Sequence, residues 1–124
     1  MASNRNYFEI HFLENLTTEL PLLKQMTEAV EVDHRHVSFE APQKTCAVGQ
    51  LVNLEGILCF QNQRQRFVAT GRIAAVIELS DQLCMYSIEL HRYDFNLWGD
   101  FRRAMEQNQR AVDLLFRSMR EIEL

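Results

Sequence analysis

The chain has 124 residues, of which 47% are hydrophobic and 24% are charged, proportions typical of one globular domain. Its formal charge of −4 at pH 7 argues against a general nucleic-acid binder, which is normally basic. The basic residues are eleven Arg and two Lys, a skew that favours carboxylate or phosphate partners and that an Arg-rich genome explains equally well. We expect no membrane association, because no apolar run approaches the length of a bilayer span.

The three cysteines, Cys46, Cys59 and Cys84, are odd in number and widely spaced. This pattern favours reduced thiols in a cytoplasmic protein over a disulfide framework. Each cysteine lies among apolar residues, so we expect each to behave as a small buried hydrophobic residue.

Hydrophobic alternation predicts strands through the first three quarters of the chain, beginning with Tyr7–Leu13. The segment Thr17–Glu28 interrupts this pattern and predicts a short helix, with Pro21 tolerated in its first turn. Gly71, inside the longest strand, predicts a bulge or bend. The short polar turns between strands predict an antiparallel meander over residues 1–93, most economically a small barrel. The remaining predicted strands are Val30–Asp33, Val37–Ala41, Leu51–Phe60, Arg66–Leu79 and Leu83–His91.

Residues 94–124 predict one long helix, with Asp94 or Asn96 as its N-cap, within the same single domain. Its apolar stripe follows an unbroken heptad spacing with one polar member: Trp98, Phe101, Met105, Asn108, Val112, Leu115, Met119 and Ile122. Such a helix is about 42 Å long, longer than a domain about 35 Å across. We therefore expect it to pass beyond the barrel and to pair as a coiled coil, with a copy of itself or with a protein partner. The alternative is a helix folded back across its own barrel.

Two groups of residues invite chemical interpretations. His34-x-His36 beside Asp33 is half of a metal site, for which His11, His91 or a cysteine would have to supply further ligands, and the spacing does not require this. The chain contains no glycine-rich phosphate loop and no nucleophile or metalloprotease motif. We expect no metal, no cofactor and no catalytic residue.

Arginines also recur along the predicted helix. Arg103, Arg110 and Arg117 lie seven residues apart and form one ridge beside the apolar stripe. This ridge is either a solvated helix face or a docking surface for an acidic partner.

From Val37 to Phe101 the stretches VSFEAP, AVGQLVNLEGIL, FVATGRIAAVIEL and CMYSIELHRYDFNLWGDF follow one another. Their order resembles the second half of a PilZ domain, a small bacterial barrel that binds cyclic di-GMP. The features that carry the resemblance are Gly49, Gly71-Arg72-Ile73, Tyr86-Ser87-Ile88-Glu89-Leu90 and the helix from Asn96.

The nucleotide-binding motifs of that family are incomplete in this chain. Its R-x-x-x-R motif should precede the barrel, but residues 1–32 contain one arginine, Arg5. Its D/N-x-S-x-x-G motif has a remnant that starts at Asp33, where Arg35 replaces the serine and Ser38 the glycine. Without two guanidinium groups, most of the charge-assisted binding of the dinucleotide is lost.

The resemblance therefore implies a degenerate PilZ-like domain that is not an enzyme. It implies an adaptor that binds proteins in bacterial motility, type IV pilus regulation or second-messenger signalling, and that oligomerises through its helix. The alternative is a cyclic di-GMP receptor with non-standard binding residues. A small-barrel RNA binder is disfavoured by the negative charge. The candidate nucleotide-binding residues are Arg5, Asp33, Arg35, Arg64 and Arg66.

Overall fold

A computed structural model describes residues 5–107 of the chain. Six strands are followed by a helix, α1, over residues 95–107. Neighbouring strands are all antiparallel, and the sheet closes into a barrel in the order β1-β2-β3-β6-β5-β4. The strands are β1 (Tyr7–Asn15), β2 (Thr27–Val32), β3 (His36–Pro42), β4 (Leu51–Phe60), β5 (Gln63–Glu78) and β6 (Leu83–Arg92). The predicted combination of an antiparallel barrel and a C-terminal helix is confirmed.

The strand order differs from the predicted meander at one connection. The strands β1, β2 and β3 form one meander, and β4, β5 and β6 form another. Residues 43–50 carry the chain from β3 to β4, which do not pair, and the pairs β3–β6 and β1–β4 close the barrel. Alternation of apolar residues identifies strands, but it does not determine which strands become neighbours.

The hairpin between β4 and β5 has a two-residue turn. Gln61 and Asn62 both have positive φ angles, of 52° and 60°. This is the conformation whose twist matches that of two paired strands. The turn pairs Phe60 with Gln63 and sets the register of the whole β4–β5 ladder.

Two glycines allow neighbouring strands to approach closely. At Gly71 the register of β5 against β6 shifts, as the predicted bulge requires, and an added Cβ would lie 2.9 Å from Cγ2 of Ile88. At Gly56 an added Cβ would collide with the carbonyl oxygen of Glu9 and lie 2.6 Å from Cε1 of Phe8. A larger residue at either position would therefore push strands apart.

The predicted helix at Thr17–Glu28 is wrong. The side chain of Asn15 accepts hydrogen bonds from the backbone amides of Thr17 and Thr18, at 2.9 and 3.1 Å, and fixes a turn. Glu19 has a left-handed φ of 60°, and the amide of Leu22 donates to the carbonyl of Leu13 on β1. Because these backbone groups bond to a turn and to β1, they cannot form the ladder of a helix.

Helix α1 closes one end of the barrel, which we call the helix end. The carboxylate of Asp94 accepts a hydrogen bond of 3.0 Å from the amide of Leu97, which confirms Asp94 as the N-cap. Trp98 and Phe101 are buried and contact Phe8, with ring centroids 6.0 and 6.5 Å apart, respectively. Phe67 stacks on Trp98 at 5.1 Å. The first turns of α1 are therefore part of the barrel core.

This packing bears on the predicted coiled-coil stripe. Trp98 and Phe101 face the chain's own barrel, and Met105 is partly buried against the same core. The positions of these three residues agree with the alternative prediction, in which the helix packs on its own barrel. The other stripe residues, Asn108, Val112, Leu115, Met119 and Ile122, lie outside the described residues.

The opposite end of the barrel, which we call the open end, is organised by Tyr86. Its ring stacks on Phe39 at 5.5 Å, and its hydroxyl donates a hydrogen bond of 2.7 Å to the carbonyl of Pro42. The same hydroxyl accepts a hydrogen bond of 3.1 Å from the amide of Thr45. The loop that follows β3 is thereby tied to the core.

We expect Phe101→Ala to lower the free energy of unfolding by about 3–5 kcal/mol, because it removes a fully buried ring from the helix end. Urea denaturation followed by circular dichroism measures this loss. Phe95→Ala is the matched control, since Phe95 lies on the same helix but is 66% exposed, and it should change stability by about 0.5 kcal/mol or less. Equal losses in both variants would contradict the proposed role of Phe101.

We expect Gly56→Ala to destabilise the barrel by about 2–3 kcal/mol, since the new methyl group collides with β1 backbone. Gly99→Ala provides a control of the same chemistry in α1, where the nearest atom is 3.4 Å away on the flexible Arg103 side chain. That variant should gain up to about 1 kcal/mol from helix propensity. Thermal unfolding of both variants tests the difference in sign.

Candidate functional site

A cleft of about 740 Å³ lies beside α1 at the helix end of the barrel. One wall is formed by β2 and β3 with the turn between them, and the other by Arg102, Met105 and Glu106 of α1. Asp33 and His36 line the cleft near the turn. The cleft therefore lies at the position of the remnant nucleotide motif that the sequence analysis identified.

The carboxylate of Asp33 is engaged in holding the β2–β3 turn. It accepts hydrogen bonds from the backbone amides of Arg35 and His36, at 2.9 and 2.7 Å, and lies 3.3 Å from Nδ1 of His36. Partial burial acts to raise the pKa of Asp33, but these amide hydrogen bonds and the charge of His36 outweigh it and lower the pKa. The carbonyl oxygen of Asp33 accepts a hydrogen bond of 3.2 Å from the indole of Trp98. Asp33 thus joins the turn to α1.

The charged groups of the cleft are mainly acidic. Among the described residues, the carboxylates of Glu31, Asp33 and Glu106 line it, together with the guanidinium of Arg102 and the imidazole of His36. Arg102 is itself 3.3 Å from Glu106. An anionic ligand in this cleft would face more negative than positive groups at neutral pH. The charges that line the cleft therefore favour a neutral or cationic ligand over a phosphate.

The candidate arginines are not among the described residues that line this cleft. Arg5 precedes β1 and forms an ion pair with Glu28, and its guanidinium lies 4.6 Å above the ring of Tyr7. Arg64 and Arg66 lie two residues apart on β5 and so face the same side of the sheet. Arg35 is exposed in the β2–β3 turn. The structure therefore does not bring the five candidate residues together into one site.

Glutamate side chains form ion pairs with arginines on the outer surface of the barrel. Arg64 donates a hydrogen bond of 2.9 Å to Glu9, and Arg66 donates one of 2.8 Å through Nε to Glu55. Glu9 lies directly opposite Glu28 in the short β1–β2 pairing. Like charges in that position repel each other, so the cations beside them stabilise the closure of the barrel.

The pKa of Glu9 reflects this environment. A hydrogen bond from His11 lowers the pKa most, burial acts in the opposite direction, and Arg64 lowers it further. The net effect places the pKa of Glu9 below its ordinary value. The folded state therefore keeps Glu9 ionised to lower pH than the unfolded state does.

The four histidines considered as metal ligands do not meet at one point, and His11 lies 3.0 Å from Glu9 on β1. His34 lies in the β2–β3 turn, 3.3 Å from Arg102, whereas His36 and His91 both face Glu89 on β6, at 3.8 and 3.0 Å. Arg72 joins Glu89 at 3.9 Å. The carboxylate of Glu89 has a lowered pKa because of the hydrogen bond from His91, opposed by burial and assisted by Arg72. Within residues 5–107, no group of three or more His, Cys, Asp or Glu side chains is arranged to hold a metal ion.

All three cysteines are free and buried, as the sequence predicts. Burial raises the pKa of Cys46 to about 12, so this thiol is protonated at neutral pH. The Nη1 atom of Arg64 lies 3.5 Å from Sγ of Cys59, next to the turn of the β4–β5 hairpin.

Sequence reasoning missed several residues of the cleft. Arg102, Glu106, Glu31 and Ser38 reach it from three different elements. The β2–β3 pairing places Glu31 opposite Ser38, and the position of α1 across the barrel end brings Arg102 and Glu106 to them. The buried Trp98 side chain, which sets that position, was the available signal.

Comparison of the chain with protein-family models, with curated proteins and with solved structures found no match. In the described part of the chain, no helix has the length and apolar character needed to cross a membrane. The resemblance to PilZ domains therefore stays a prediction.

We expect the free energy of unfolding to fall as the pH drops below about 4.5, near the ordinary glutamate value. The pKa values of Glu9, Asp33 and Glu89 are lowered in the folded state, so the unfolded state binds more protons at acid pH. Their stabilisation is complete above the unfolded pKa values and is lost as the pH falls through the folded ones. Urea denaturation between pH 3 and pH 7 measures this profile. Glu9→Gln should flatten it, and an unchanged slope in that variant would contradict the role of Glu9.

Proposed function

We propose that this chain is a non-enzymatic, PilZ-like adaptor that acts in the bacterial cytoplasm through protein–protein interaction. Its pathway is motility, type IV pilus regulation or second-messenger signalling. The helix that begins with α1 continues through Ile122 and joins copies of the chain through the part of its heptad stripe that follows Met105, while the barrel is presented to a protein partner.

One observation favours this proposal over nucleotide binding: three of the four candidate arginines form ion pairs with glutamates. Arg5 pairs with Glu28, Arg64 with Glu9, and Arg66 with Glu55. A phosphate would have to displace those carboxylates, and it would gain only the difference between two similar charge-assisted interactions. The acidic lining of the cleft beside α1 adds a further electrostatic cost to anion binding.

The attachment of α1 supports the self-association part of the proposal. Trp98 and Phe101 are anchored in the barrel core, so the start of the helix has a fixed direction. A helix held in this way presents its continuation in one orientation, which reduces the entropy lost on pairing. The apolar residues from Val112 to Ile122 keep the same heptad spacing as the anchored ones.

A cyclic di-GMP receptor is the alternative, and Arg35 is the observation that favours it. Its side chain is exposed beside Asp33 in the turn that carries the remnant motif. Loss of cyclic di-GMP binding on Arg35→Ala, and in no other arginine variant, would establish this alternative.

We expect light scattering to give a stable oligomer whose mass is unchanged by cyclic di-GMP, and calorimetric titration to give no heat of binding. A monomer that binds the nucleotide tightly would overturn the proposal and establish the receptor alternative.

The helix stripe has its own test. Leu115→Asp should yield monomers that keep the strand signal in circular dichroism, because a charge in an oligomer core is not tolerated. Gln107→Asp introduces the same charge at an exposed position off the stripe and should leave the mass unchanged. Loss of all structure in Leu115→Asp would mean that the helix belongs to the core of the monomer, and self-association would be wrong.

A further inference from the structure

A second groove, of about 590 Å³, lies at the open end of the barrel, away from α1. One wall is formed by residues 21–27, which lead into β2, and the other is the end of β3 with the loop to residue 45. Its apolar surface includes Leu22, Leu23 and Met26, and Met26 is 50% exposed. The groove thus combines an open shape with an apolar lining that a partner side chain can cover.

The two lysines of the chain, Lys24 and Lys44, both line this groove. In the described part of the chain, the ion pairs of basic side chains other than histidine are all made by arginines. Both ammonium groups lie on exposed residues, one on each wall. Glu40 also lines the groove, which leaves a net charge of +1 at neutral pH.

The walls of the groove are held in place by the barrel. Tyr86 bonds both Pro42 and Thr45, and the side chain of Gln43 donates a hydrogen bond of 3.0 Å to the carbonyl of Ser80. On the other wall, the amide of Leu22 bonds to Leu13 at 2.7 Å. Lys44 adopts a left-handed φ of 66° within its tied loop. A groove fixed before binding loses little entropy when a ligand enters.

We infer that this groove binds an acidic peptide segment of a protein partner, with an apolar side chain in the groove and carboxylates on Lys24 and Lys44. The inference deepens the proposed adaptor function and rests on it. Charge complementarity selects an acidic segment, since the two ammonium groups have no carboxylate partner among residues 5–107. The apolar lining selects a segment that also carries hydrophobic residues.

Fluorescein-labelled peptides with alternating residues test the inference on the full-length chain. A Glu–Leu peptide should raise its anisotropy on binding, and its affinity should fall as salt is added. A Lys–Leu peptide tests the charge, and a Glu–Ser peptide tests the apolar lining; both should bind at least ten-fold more weakly. Amide chemical shifts in nuclear magnetic resonance should change at residues 22–27 and 43–45.

Single substitutions assign the site. Lys24→Glu and Lys44→Asp should each weaken binding of the Glu–Leu peptide about three- to ten-fold, and Asp tolerates the left-handed backbone at Lys44. Met26→Asn should weaken it through the apolar contact. Arg92→Glu makes the same charge change at an exposed position near the helix end and should leave the affinity within about two-fold.

Equal binding of the Lys–Leu peptide, equal weakening by Arg92→Glu, or shift changes confined to the helix end would each overturn the inference. Light scattering on the same samples separates this failure from that of the proposed function. A chain that self-associates but does not bind the Glu–Leu peptide overturns the groove assignment alone. A monomer that binds it through Lys24 and Lys44 supports the groove and overturns self-association.

Discussion

Trp98 and Phe101 close one end of the barrel, and their packing positions the helix, the β2–β3 turn and the cleft between them. The rings of Phe8 and Phe67 lie at the helix end of the barrel, and they would be exposed to water if α1 did not cover them. The indole of Trp98 also donates a hydrogen bond to the carbonyl of Asp33, so the β2–β3 turn and the helix are joined. The position of the cleft, and of every residue that lines it from α1, follows from this one contact region.

Electrostatics on the outer face of the barrel serve its closure. The β1–β2 pairing is the shortest in the sheet and places Glu9 opposite Glu28. Arg64 and Arg5 provide the opposite charge on each side. The sequence made these arginines candidates for binding a phosphate. In the structure they have a structural role, because the sheet places each of them beside a carboxylate.

The two ends of the barrel differ in chemistry, and this difference gives the proposed adaptor two separate surfaces. The helix end is closed by aromatic packing, and its cleft is mainly acidic. The open end presents Lys24, Lys44 and exposed apolar surface on tied loops. Self-association through the helix would thus leave the groove at the open end accessible, because the helix and the groove lie at opposite ends of the barrel.

Local sequence patterns predicted the strands, the bend at Gly71 and an N-cap at Asp94 or Asn96, since each depends on periodicity, on backbone freedom or on a side chain within three residues, and the structure shows Asp94 as the cap. These patterns failed at Thr17–Glu28, where the helical apolar spacing was overridden by bonds from Asn15 and Leu13. They also could not show that Arg64 meets Glu9, residues that are 55 positions apart. The folded barrel, and no local pattern, sets which strands are neighbours, which charges are paired and which residues share a cleft or a groove. These features depend on contacts between distant segments, which local sequence patterns do not encode.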